Sequence, residues 1–294
     1  MPYKTIFSIY RNTIRVVLFL VTVAMLLIAC DKKNKVNLIK NAVTDVDGNS
    51  YDAVKIGKQI WMAENLRTTH YADGTEIPLG RRNFEPDDPE WSGEIPFRYV
   101  PGKDDINISI YGYYYNWGAV MHGANSSNII PSHVQGICPN GWHVPSIAEW
   151  EQLIDYVSNE NDYLCCWGEH SGPFNCCRYY AKSLASTTGW TQYGYSPTMD
   201  VDGYWDCNPG TVQSSNNATG FSALPAGFFS DDAYNNDTEM FGVEALFWSS
   251  TKADYDIDSR TSAMTFQIYN DSGEARVDLY EDFWRGLTVR CVKD

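Results

Sequence analysis

The 294 residues are 44% hydrophobic and 20% charged, which excludes disorder as the main state and allows one large domain or two small ones. Trp, Tyr and Phe number 10, 20 and 12, enough rings to fill a core or line a binding face. The formal charge is −15, and beyond residue 29 it is 19 − 37 = −18, which excludes broad electrostatic binding to DNA, RNA or anionic lipid.

Lys4, Arg11 and Arg15 precede an apolar run from Val16 to Ala29. About 20 apolar residues are needed to span a bilayer, so this run reads as a secretory leader over residues 1–29. Leu27-Ile28-Ala29-Cys30 resembles the lipobox of bacterial lipoproteins, which implies that Cys30 is acylated and heads the mature chain. Acyl chains contribute about 0.8 kcal/mol per buried CH₂, so two or three would hold the protein firmly at a membrane. Residues 30–43 follow as a polar tether. The implied location is the cell envelope, at the outer membrane or cell surface rather than the inner membrane.

Asp47-Gly48-Asn49 and Gly57 each separate short apolar runs and predict two tight hairpins between Thr44 and Trp61. Asp45, Asp47 and Asn49 alternate like the start of a calcium loop, but Gly48 comes too early and no Glu closes twelve residues, so a turn is preferred. Residues 79–105 read as a long surface loop. Tyr111, Tyr113, Tyr115 and Trp117 alternate and predict a buried strand in preference to a sugar-stacking stripe. Ser146 and Glu149 form the capping box of a helix whose apolar stripe is Trp150, Leu153, Ile154 and Val157, with Glu149, Glu151, Gln152 and Asp155 expected toward water. A weaker helix is expected over Arg178–Ser186. Residues 189–217 show no period, and strand-like stretches resume at Phe221, Phe247, Ala263 and Leu287. No repeat or linker divides 44–294, so one domain is expected there.

With Cys30 acylated, seven cysteines remain, an odd number, and export permits disulfides. Adjacent thiols point apart and chelate poorly, so Cys165-Cys166 and Cys176-Cys177 favour a local staple over zinc. The five histidines show no ligand spacing.

Trp61-Met62-Ala63-Glu64-Asn65-Leu66, Tyr114-Tyr115-Asn116-Trp117, Cys138-Pro139-Asn140-Gly141-Trp142-His143-Val144-Pro145, Gly220-Phe221-Ser222-Ala223-Leu224-Pro225-Ala226-Gly227, Phe247-Trp248-Ser249-Ser250-Thr251 and Val289-Arg290-Cys291-Val292-Lys293-Asp294 occur in one order. In this the chain resembles the Fibrobacter succinogenes major paralogous domain family of secreted and lipid-anchored proteins in Bacteroidetes and their relatives. Leu287-Thr288 stands where that family usually has Phe-Ser. The resemblance implies an α+β, C-type-lectin-like fold with two helices beside antiparallel strands, related also to formylglycine-generating enzymes. It further implies a Cys138–Cys291 disulfide.

No nucleophile motif, zinc-protease motif or phosphate loop is present, so catalysis rests on fold analogy alone. A non-catalytic binding or adhesion module for glycans or surface proteins is the leading expectation, with a structural envelope protein as the alternative. Residues 190–217 are the expected recognition loop, with Tyr204 and Trp205 as stacking platforms and Asp200, Asp202 and Asp206 as calcium ligands. Glu85, Asp87 or Asn270 would complete the calcium shell. The alternative is a loop pinned by a bond from Cys207, with buried rings and no metal.

Overall fold

The two N-terminal hairpins form where turn residues interrupt alternating apolar ones. The computed structural model describes residues 36–81, 89–160, 163–164, 179–192, 207–230, 240–253 and 261–294. Strands β1 (Leu38–Thr44), β2 (Ser50–Ile56) and β3 (Gln59–Met62) pair antiparallel through the expected turns. Asp45 closes the first turn by accepting from the Asn49 N–H at 2.8 Å and the Tyr51 hydroxyl at 2.6 Å. Asp47 accepts from the Thr69 N–H, the Thr68 and Thr69 hydroxyls and the His70 ring. Burial pushes the Asp47 carboxyl up, yet these donors outweigh it and hold the group down at about 2.

The expected loop over 79–105 contains two 3-10 turns, Pro89–Ser92 and Pro101–Lys103, and strand β4 (Arg98–Tyr99). The expected strand over Tyr111–Trp117 is corrected. Tyr111 closes helix α1 (Ile106–Tyr111), only Tyr114–Tyr115 forms strand β5 against β4, and Trp117 opens helix α2 (Trp117–Met121). Two local features override the alternation. Gly112 leaves the helix at φ 77°, with a would-be Cβ 2.4 Å from the Leu66 carbonyl, and the Asn116 side chain caps α2 by accepting from the Ala119 N–H at 3.0 Å.

Strand β6 (Trp142–His143) leads to helix α3 (Ile147–Asn159), whose capping box is formed as expected. Trp150, Leu153 and Val157 are buried and Ile154 is half-buried, but Glu149 is buried too, contrary to the outward position its amphipathic stripe suggested. The second expected helix is a single turn, α4 (Ala181–Leu184). Strands β7 (Glu244–Lys252), β8 (Ser262–Tyr269) and β9 (Arg276–Asp282) make a three-stranded antiparallel sheet. Phe221 is fully buried in irregular backbone rather than in a strand.

The final segment ties the layers together. Leu287 exchanges backbone bonds with Tyr115, Thr288 accepts from the Trp248 N–H, Val289 from Leu66 and Cys291 from Met62. Strand β10 (Val292–Lys293) then inserts between β3 and β6, giving a five-stranded sheet in the order β1-β2-β3-β10-β6. The Cys138–Cys291 disulfide is present and links residues 153 apart. Trp61, Trp150, Phe221, Phe247 and Phe266 cluster in one buried core, with Trp61 tilted against Trp150 and Phe266 stacked on it, both at 4.3 Å between centroids, and Phe221 edge-on.

Candidate functional site

Asn270 directly follows β8 and joins neighbouring segments through its backbone and its side chain. Its N–H donates to the Val243 carbonyl, its carbonyl accepts from Gly210, and its side-chain amide donates to the Thr191 carbonyl at 3.1 Å. The Thr191 N–H in turn reaches the Gly242 carbonyl at 2.7 Å. Three residues on, the Gly273 carbonyl accepts from both Tyr180 and Ala181. Chain packing is tight enough to demand glycine: a Cβ on Gly210 would lie 2.7 Å from the Thr191 carbonyl and 2.8 Å from that of Asn270. Residues flanking three long segments, 165–178, 193–206 and 231–239, thus meet around one β-hairpin turn.

The flanks of the expected recognition loop are strapped down as well. Trp190 is buried and exchanges two bonds with the Gln213 side-chain amide, and its indole donates to the Ser186 hydroxyl. Asn216 donates to the Ser186 and Pro209 carbonyls, and the buried Lys182 ammonium donates to the Thr211 carbonyl at 2.6 Å. Cys207 is disulfide-bonded. The two ends of the 190–217 region are therefore structural. Tyr204, Trp205, Asp200, Asp202 and Asp206 lie outside the described residues, as do Cys30, Glu85, Asp87, Cys165, Cys166, Cys176 and Cys177. Of the residues proposed to complete a calcium shell, Asn270 does stand beside the loop flanks, where its amide serves Thr191. Among the described residues no group of three or more His, Cys, Asp and Glu side chains can hold a metal, and no helix is long and apolar enough to cross a membrane.

A second cluster went unread in the sequence. His143 is buried, with Nε2 2.7 Å from Glu149 Oε1 and Nδ1 2.7 Å from Asp294 Oδ1. The other Glu149 oxygen accepts from the Ser132 and Ser146 N–H groups. Burial works against a charged imidazole here, but the hydrogen bonds and charges of Glu149 and then Asp294 outweigh it and raise the His143 pKa above 6.5. A pocket of about 150 Å³ adjoins the ring, lined by His133, Gln135, Gly141, Trp142, His143 and Asp294. It is small against the roughly 300–1,000 Å³ usual for ligand pockets. The capping-box Glu three residues after Ser146 was the available signal, since a His just ahead of such a box can reach the same carboxylate.

A third acidic site lies on the β7–β9 sheet. Burial, followed by the charge of Glu281, pushes the Glu244 carboxyl up to about 7, while Arg285 pulls it down. Arg285 pairs with Glu281 at 3.0 Å.

The architecture is a mixed α+β one in which every strand pairing within the three sheets is antiparallel. The Fibrobacter succinogenes major domain model matches residues 54–293, and the chain belongs to that family. No curated protein and no solved structure matches it.

Proposed function

We propose that the protein is a lipid-anchored, non-catalytic binding module of the bacterial cell envelope, built on a C-type-lectin-like fold and recognising glycans or surface proteins. The observation that carries this reading is the junction around Asn270, where a rigid β-hairpin gathers the flanks of segments 165–178, 193–206 and 231–239. Binding residues commonly sit on long segments held by a rigid scaffold, because such segments vary without disturbing the core. Within segment 193–206, Tyr204 and Trp205 supply stacking surfaces and Asp200, Asp202 and Asp206 supply oxygen ligands for calcium. Anchoring rests on Cys30 at the end of Leu27-Ile28-Ala29-Cys30.

A glycan array probed with the detergent-extracted protein, with and without EDTA, tests the ligand class. Binding lost on Trp205→Ala at unchanged thermal stability supports the module. No array signal and no surface-protein capture, together with no heat on calcium titration, overturns it in favour of a structural envelope protein. For the anchor, Cys30→Ser is expected to abolish palmitate labelling and release the protein from the membrane fraction.

A further inference from the structure

The environment of His143 places a carboxylate oxygen at each ring nitrogen. Each ring nitrogen lies 2.7 Å from a carboxylate oxygen, and where both carboxylates are ionised they only accept, so both nitrogens then carry hydrogen. The two partners are held very differently. Glu149 is buried on α3 and fixed by the Ser132 and Ser146 N–H groups, whereas the Asp294 side chain is 60% exposed and sits just beyond β10. Strand β10 meets β6 through Val292 opposite His143 and Lys293 opposite Trp142, and the Asp294 N–H donates to the Gly141 carbonyl.

We propose that His143 is a proton-operated latch, holding the Asp294 end of β10 beside the small pocket while the ring is doubly protonated and releasing it when one proton leaves. Loss of a proton leaves one ring nitrogen as a lone pair facing a carboxylate. Glu149 cannot withdraw without breaking the helix cap, so the remaining N–H stays with Glu149 and the repulsion falls on exposed Asp294. That residue retreats into water, and its backbone bond to Gly141 loses its side-chain support. The titratable and charged groups around the ring are Glu149 from α3, Asp294 and Lys293 from the β10 segment, and His133 across the pocket. The raised His143 pKa sets the direction: the latch is closed below the folded-state value, which lies above 6.5, and opens as pH rises through it.

The test follows the five histidines in the full chain in detergent, labelled with carbon-13 at the imidazole Cε1 and titrated by NMR, with Asp294 amide exchange measured alongside. His143 is expected to lose its second proton with a midpoint above 6.5. Its deprotonation should raise Asp294 amide exchange roughly tenfold beyond the intrinsic pH dependence, as a local opening does. Asp294→Asn, a surface change that leaves the helix cap intact, should move the His143 midpoint downward. A His143 midpoint at or below 6.5, an Asp294 amide unaffected by the titration, or a midpoint unmoved by Asp294→Asn each overturns the latch.

Discussion

Two buried cations flank strand β10, and the chain accommodates them in opposite ways. His143 is held between two carboxylates. Arg290, fully buried, meets no carboxylate among the described residues: Nε donates to Asn65 Oδ1 at 2.9 Å, Nη1 to the Met62 and Phe221 carbonyls and Nη2 to the Ser222 carbonyl at 2.7 Å. The guanidinium also lies over the Phe221 ring, 4.5 Å from its centroid, and near Phe247. Burial lowers the Arg290 pKa to about 9, opposed only by Glu64, whereas the carboxylates raise that of His143. Neutral dipoles satisfy donors without compensating charge, so Arg290 stays charged at neutral pH at a solvation cost, and serves as a fixed strut. Carboxylates compensate charge fully, and on imidazole they create a group that titrates.

The sharpest way to break this comparison is to remove the strut. Arg290→Met empties a cage of one amide oxygen and three carbonyls in the core, and each unsatisfied acceptor costs about 1–3 kcal/mol, less than additively. A loss of about 4 kcal/mol in urea unfolding is expected, with Arg290→Lys recovering less than half because an ammonium cannot match the planar fork. A loss under about 1 kcal/mol would show that water replaces the guanidinium and that the cage is not structural.

The disulfide reaches the same terminal segment covalently. Cys138→Ala/Cys291→Ala frees a loop of 153 residues' separation, and removing such bonds typically costs about 2–4 kcal/mol. About 3 kcal/mol is expected, with His143 still paired to Glu149. Unchanged stability in the double variant would mean that backbone pairing of β10 already fixes this end.

How much of this was legible depends on how local the cause is. Ser146 and Glu149 announced a helix, and Asp47-Gly48-Asn49 and Gly57 announced two hairpins, because caps and turns are written in consecutive residues. The period-two pattern over Tyr111–Trp117 misled, since Gly112 and the Asn116 cap cut it and the rings reach the core from three different elements. Glu149 was misplaced because a stripe of apolar residues gives no information about a buried ionic partner six residues upstream. Phe221 is buried by close packing against Trp61 and Trp150, not by strand pairing, and neither neighbour is near in sequence. Cys138–Cys291 came from the family resemblance, since spacing alone left the pairings of the seven cysteines open. Of the expected site, only the flanking residues and Asn270 can be placed.

A pH series extends the contrast from cations to acids. Glu244 titrates near 7 in the folded chain against its ordinary 4.5, so between those values unfolding releases a proton and stability falls as pH rises. His143 adds the same sign above 6.5, while the depressed Asp47 contributes stability that is lost only as pH falls toward 2. The stability optimum is therefore expected on the acid side of neutrality, with a decline on the order of 2 kcal/mol from pH 5 to 8. Glu244→Gln should remove most of that slope below pH 7 in urea midpoints. A variant that keeps the full slope would assign it elsewhere.

The smallest expected change in stability bears most directly on function. Asn270→Ala deletes one side-chain bond, to the Thr191 carbonyl, and leaves the two backbone bonds of residue 270 in place. A neutral hydrogen bond of this kind contributes about 1 kcal/mol, a small fraction of what Arg290 secures. Yet Thr191 lies two residues before segment 193–206, so the lost bond loosens the base of the segment assigned to recognition. Binding that depends on a pre-organised surface weakens when ordering must be supplied on contact, and each freed element costs about 0.5–1.5 kcal/mol. Asn270→Ala is therefore expected to lower glycan or surface-protein affinity several-fold while shifting the urea midpoint only slightly. Gly210→Ala, whose new Cβ meets the backbone of both Thr191 and Asn270, should act the same way and more strongly. Affinity unchanged in both variants, with stability reduced, would leave the junction a purely structural knot and would separate it from the binding surface.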